Sequence, residues 1–169
     1  PKERDQVKNI MFFLQNLGSF FGIYTFAILA EKLNRRKAFA IAFVAAWLSI
    51  LAFFWGLAGK GAEAKNLAYI LAPLMGFCTL MPFSGFTIYF PELFPTRLRT
   101  TGAGFAYNAS RVFAGGAPIA MTSLANSFGG SFAKAASVVG CIYLLGFVGT
   151  FMGPETKGQP LPEDKDFGF

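Results

Sequence analysis

Long apolar runs alternate with short polar ones along this chain, and the runs share one length. Uncharged stretches cover residues 10–30, 38–58, 67–90 and 135–152, and a fifth at 101–124 is interrupted only by Arg111. About 20 apolar residues in a helix cross roughly 30 Å of hydrocarbon, and irregular backbone with unpaired amides survives only outside that layer. The pattern therefore predicts five transmembrane helices joined by polar connectors at 31–37, 59–66, 91–100 and 125–134. Residues 1–153 form the helical bundle in this reading, and 154–169, polar and proline-bearing, an extended tail outside the membrane. The fold class is all-α and integral to the membrane.

Composition sharpens this picture. The chain is 54% hydrophobic and 14% charged with 22 Phe, and its mean hydropathy is +0.47, outside the range of soluble domains. A net charge of +6 would suit nucleic acid in a soluble protein. In a membrane protein, Lys and Arg collect in cytoplasmic loops and against anionic lipid heads, so lipid is the expected partner and nucleic acid is not. Cys78 and Cys141 lie inside apolar runs, where a thiol behaves as a small hydrophobe, so no disulfide, metal or cofactor is expected. There is no His, and no nucleophile or carboxylate pair is grouped at one membrane face, so the chain does not read as an enzyme. Nor does it carry the repeated filter sequence of a channel. A polar start at Pro1 without a signal peptide reads as a fragment of a longer chain.

Loop charge orients the helices. Placing 31–37, 91–100 and the tail together gathers Lys32, Arg35, Arg36, Lys37, Arg97, Arg99, Lys157 and Lys165 on one side. Lys2, Arg4, Lys8, Lys60, Lys65 and Lys134 remain on the other. The basic excess between spans puts the first side in the cytoplasm, with the C-terminus, in the cell membrane.

The polar connectors carry specific chemistry. In Pro91-Glu92-Leu93-Phe94-Pro95-Thr96-Arg97-Leu98-Arg99, the prolines stiffen a turn that holds a carboxylate close to two guanidinium groups. The stretch 27–37, A-I-L-A-E-K-L-N-R-R-K, resembles the G-x-x-x-D-[RK]-x-G-[RK]-[RK] loop of the major facilitator superfamily, with Ala27 and Asn34 at its glycines. Asn tolerates the left-handed backbone of such a turn, and Ala is small enough for close helix approach. Residues 91–97 resemble the P-E-x-x-P-x-R hinge of the sugar-porter branch, followed by Arg111 in the next helix. Pro154-Glu155-Thr156-Lys157-Gly158 resembles the P-E-T-K-G after that branch's last helix. The resemblance implies that the five spans are the eighth to twelfth helices of a twelve-helix transporter, within the C-terminal six-helix bundle, whose N-terminal half is missing here.

A transporter of that kind works by alternating access, two halves rocking about a midplane site. Charged loops on one face must then hold in one state and part in another. Glu31, Arg35, Arg36, Glu92, Arg97 and Arg111 are the candidate cytoplasmic gate; the alternative is that these charges only set topology. Ten residues at about 1.5 Å carry Arg111 some 15 Å beyond Thr101, where an arginine needs a partner or a wet cavity. It reads as a gate residue, as a counter-ion for an anionic substrate, or as a side chain that snorkels to the surface. Gln15, Asn16, Ser19, Thr87, Tyr107 and Asn108 are candidate cavity residues, or else polar contacts between helices. Gly18, Gly22, Gly76, Gly85, Gly102, Gly104, Gly115 and Gly116 are expected to supply the close packing and bending of the helices.

The expected function is transport of a small polar metabolite, a sugar or an organic acid. Sugar porters carry a Trp where this chain has Thr87. Relatives with the same hinge often couple transport to protons; no carboxylate or His lies deep in these spans, so a coupling acid belongs to the missing half. The alternatives are a facilitative uniporter and a structural membrane subunit that transports nothing.

Overall fold

The computed structural model describes residues 2–61 and 64–163. Seven helices follow one another among them: α1 (Lys2–Lys32), α2 (Arg35–Leu57), α3 (Ala64–Leu93), α4 (Arg99–Gly115), α5 (Ala117–Ser127), α6 (Phe132–Gly140) and α7 (Ile142–Met152). No strand occurs among the described residues.

Four stretches are long and apolar enough to cross a membrane: Asp5–Lys32, Arg35–Leu57, Ala64–Leu93 and Phe132–Met152. The last joins α6 and α7 through a helical residue, Cys141, whose amide reaches back to Val138 O at 3.1 Å in a tighter turn. These stretches contain the spans expected at 10–30, 67–90 and 135–152, and the one expected at 38–58 except Ala58, the C-cap of α2. The apolar run at 101–124 is instead shared by α4, 17 residues long, and α5, 11 residues long. Pro118 causes the break, because it has no amide to return to the Ala114 carbonyl, and Gly115 and Gly116 before it yield easily.

The connectors are shorter than the polar stretches that predicted them. Only Leu33 and Asn34 separate α1 from α2. Helix α3 contains Pro73, Pro82 and Pro91 and continues to Leu93, so the hinge narrows to residues 94–98. Pro91 lies in the last turn of α3, where its fixed φ is helical; the bond it forgoes is the one to the Thr87 carbonyl.

Two kinds of contact hold the bundle. In lipid, apolar burial between helices contributes little, and close backbone approach takes its place. A Cβ added to Gly18 would strike the Pro73 carbonyl, one on Gly22 the Phe77 carbonyl, and one on Gly76 the Gln15 carbonyl. Helices α1 and α3 therefore touch backbone to backbone, whereas a Cβ on Gly104 or Gly115, also expected at close contacts, would meet nothing within 4 Å. The second contact is an aromatic core of Phe26, Phe39 and Phe43 with Ala30, Ala38, Ala42 and Met81. The Phe39 ring lies 5.0 Å from Phe26, 5.3 Å from Phe86 and 5.6 Å from Tyr89, distances at which ring pairs attract. This core lies just below the α1–α2 connector.

At the other end a short turn reverses the chain between α5 and α6. Gly129 and Gly130 adopt positive φ, the Gly130 amide donates to Ala125 O at 2.8 Å and the Gly129 amide to Asn126 O at 3.1 Å. These are the paired bonds of a glycine-dependent helix stop. Ser131 then caps α6 by accepting from the Lys134 amide at 3.4 Å.

Candidate functional site

The end of the bundle nearest the aromatic core carries a layer of charge. Arg35, at the first position of α2, grips Glu92 in the last turn of α3 with two prongs. Its Nη2 donates to Oε1 at 2.7 Å and its Nε to Oε2 at 3.2 Å, while Nη1 donates to the Ala30 carbonyl at 3.0 Å. The two side chains are 17% and 18% exposed. A two-pronged pair this sheltered is stronger and better oriented than an exposed one, worth only about 0–1 kcal/mol. Thr156 adds a hydroxyl bond to Glu92 Oε2 at 2.5 Å.

The segment after α7 returns to this layer. Residues 154–157 of the expected tail bond to it, and no helix forms from 153 through 163. Asn34 stands at the N-cap of α2 but makes no side-chain cap bond. Glu155 fills that role, accepting the Arg35 amide at 2.9 Å and the Arg36 amide at 3.1 Å. A carboxylate there satisfies unpaired donors and meets the positive end of the helix dipole. In return, the Arg36 guanidinium donates from Nε at 2.9 Å and Nη2 at 2.6 Å to the carbonyl of Gly153, the C-cap of α7. Each helix thus caps the other. Tyr89 donates to Pro154 O at 2.8 Å, and the Lys157 ammonium to Lys32 O at 3.3 Å. Burial alone would raise the Glu155 pKa, but the amides of Arg36, Lys157 and Arg35 and the Arg36 charge hold it below its ordinary value of 4.5.

Other expected gate residues lie apart from these bonds. Glu31 is exposed and makes no ion pair among the described residues. Arg97 sits on the exposed turn of the hinge. Arg99, two residues on, donates from Nε to Pro91 O at 3.1 Å, capping α3, and its buried Nη2 has no hydrogen-bond partner among the described residues. Arg111 is exposed on α4, with its guanidinium carbon 4.8 Å from the centre of the Tyr107 ring, within cation–π range.

The expected cavity residues are dispersed. Gln15 lines a cavity of about 530 Å³ among all seven helices, with Thr79, Met75, Met121 and Tyr143. Ser19 donates to Gln15 O at 2.9 Å, Asn16 to Phe12 O at 2.7 Å, Thr87 to Ser84 O at 2.7 Å and Asn108 to Gly104 O at 2.8 Å. Each of those groups is satisfied by its own helix.

Glu155, Thr156, Tyr89 and Gly153 complete the charge layer but were not among the expected site residues. For Glu155 and Thr156 the signal was the P-E-T-K-G stretch, which has meaning only once it is placed against the start of α2; Tyr89 and Gly153 carried no such signal.

Comparison with known proteins agrees with this architecture. The family model described as sugar (and other) transporter matches residues 5–165. A probable 4-methylmuconolactone transporter of Cupriavidus pinatubonensis is 29% identical over 151 residues, 86% of this chain and 33% of the relative. The cis,cis-muconate transport protein of Acinetobacter baylyi is 32% identical over 134 residues, 73% of this chain and 30% of the relative. Inorganic phosphate transporter 1-11 of Oryza sativa is 29% identical over 164 residues, 95% of this chain and 29% of the relative. The chain thus spans about a third of the length of the curated relatives it matches. With four helices fit to cross a membrane and a family match over nearly all its residues, the chain belongs to the sugar (and other) transporter family of the major facilitator superfamily.

Proposed function

We propose that this chain is most of the C-terminal bundle of a twelve-helix transporter that moves a small organic acid by alternating access, working against an N-terminal bundle. In this reading α4 and α5 together make the fifth crossing, bent at Gly115 and Gly116. The layer around Arg35, Glu92 and Glu155 faces the cytoplasm, as loop charge favours. It holds α2, the end of α3 and the strap after α7 as one block, and it tightens in the outward-facing state. Proton coupling, if the transport is secondary active, runs through an acid of the N-terminal bundle, since these spans hold none at depth.

The observation that carries the reading is the two-pronged Arg35–Glu92 pair, 57 residues apart in sequence, with a second carboxylate capping the same helix. A structural subunit has no need of a sheltered ion pair that can open. An organic acid is favoured over a sugar by three features: relatives named for muconate and phosphate, both anions; Thr87 in place of the sugar porters' Trp; and a guanidinium, Arg111, in the α4 part of the proposed fifth crossing.

Replacing Glu92 tests it. In the full-length protein, Glu92→Gln keeps the side chain's size but removes the charge from a bond worth about 1.5–3 kcal/mol. Uptake is expected to fall about tenfold or more, with normal membrane insertion and greater cytoplasmic accessibility of residues 31–37. Wild-type uptake by a well-inserted variant would reduce these charges to topology signals.

A further inference from the structure

Just beneath the charge layer, a crevice of about 250 Å³ opens between α2, α3 and α7. Phe39, Phe43 and Phe86 form its walls, and Gly146 and Gly149 its floor. The two glycines act differently. A Cβ on Gly146 would come within 2.6 Å of the Phe43 ring, so that glycine lets the ring lie flat on α7. A Cβ on Gly149 meets nothing within 4 Å, so beside it the crevice is open space.

Arg36 stands at one end of this crevice. Its Nε and Nη2 are committed to the Gly153 carbonyl, while Nη1 has no hydrogen-bond partner among the described residues. Lys37 follows it in sequence. The crevice is therefore mostly apolar, with Tyr89 and Thr150 also in its lining, and carries the Arg36 guanidinium at the end where α2 begins, with the Glu155 carboxylate close enough to act on that charge. On the same helix as its floor, Leu145, Val148, Phe151 and Met152 are exposed, as expected of side chains turned to lipid.

We propose that this crevice is a binding site for an anionic phospholipid, with one acyl chain between the Phe43 and Phe86 rings over Gly149 and the phosphate on the free edge of Arg36. Charge and shape select the occupant. A guanidinium offers a phosphate oxygen a charge-assisted bond, and the membrane surface next to basic connectors is where anionic headgroups concentrate. A neutral lipid would fill the same apolar volume without that bond. Because Arg36 also caps α7, the lipid would brace the joint between α2 and the strap. The site does not depend on transport; it needs only that α2, α3 and α7 lie in a bilayer.

The test uses the full-length protein in vesicles containing trace phosphatidylglycerol or phosphatidylcholine with a photoactivatable group on the same acyl chain, and maps the adducts by mass spectrometry. Phosphatidylglycerol adducts are expected to concentrate on Phe43, Phe86 and residues 146–150, with the phosphatidylcholine probe labelling them severalfold less. Arg36→Gln, which removes the charge-assisted bond, should erase that headgroup preference and bring the two probes to equal labelling. Gly149→Leu, which fills the open space, should abolish the focused adducts of both probes. If that variant fails to fold, the wild-type map alone decides. Adducts spread evenly over outward positions such as Phe105, Ile119 and Leu145, equal labelling by the two probes, or no lipid in the crevice would each overturn the proposal.

Discussion

Glu155 shows what one side chain can do when the fold delivers it to a helix end. Its carboxylate bonds three amides, two of them at the start of α2, and its pKa is lowered in consequence. A group whose folded pKa is depressed stabilises the fold fully above its unfolded value and stops doing so as pH falls through the folded one. This contribution is therefore constant from neutrality down to about pH 4.5 and fades below that. Thermal unfolding of the detergent-solubilised protein should show Glu155→Gln less stable than wild type at pH 7, with the gap closing below pH 4.5. A gap independent of pH would mean that carboxylate charge is not what caps α2. Arg111 poses a different question, because its neighbour in the chain is a ring and not a carboxylate. If it serves the gate, Arg111→Lys retains partial uptake and Arg111→Ala loses turnover more than affinity. If it holds an anionic substrate, Arg111→Lys weakens equilibrium binding by the roughly 1.5–3 kcal/mol of a charged hydrogen bond, because an ammonium cannot reproduce the planar fork. Direct binding measurements separate the two.

Among the elements, the α1–α3 pair has least room for change. Gly18, Gly22 and Gly76 bring carbonyls so close that any side chain must push the helices apart, and overpacking of this kind costs about 1–3 kcal/mol. Gly18→Val is expected to lower the unfolding temperature and the yield of folded protein, whereas Gly104→Ala on α4, where an added Cβ meets nothing within 4 Å, should be neutral or slightly stabilising through helix propensity. Equal stability of the two variants would mean that the α1–α3 contact is not tight in the membrane. The spans at 10–30, 38–58, 67–90 and 135–152 were legible because crossing a bilayer imposes a length and an apolar composition that any single stretch must satisfy alone. The division at 101–124 was written less plainly. Pro118 and the glycines before it were visible, yet α3 runs through Pro73, Pro82 and Pro91 without ending. A proline interrupts a helix or is absorbed by it depending on its neighbours.

For the molecule as a whole, the proposed topology places residues 31–37, 91–100 and the strap in the cytoplasm and residues 59–66 and 125–134 outside. Single cysteines at positions 34 and 66 of a full-length background lacking Cys78 and Cys141 check this. Membrane-impermeant reagent added to intact cells should label position 66 and spare position 34, and the reverse would invert the protein. What the sequence determined by itself was the membrane class, the apolar spans, the family motifs and the nomination of Arg35, Arg36 and Glu92, because each follows from local composition or short spacing. Only the tertiary structure decided which charges meet. Arg35 chose Glu92 over the nearer Glu31, and Glu155 reached α2 from 120 residues away. The physical reason is that helix geometry is written in neighbouring residues, whereas the partner of a charge depends on where separate helices end. Those ends are set by packing of the glycine faces and the Phe39 core, which no stretch of sequence specifies alone.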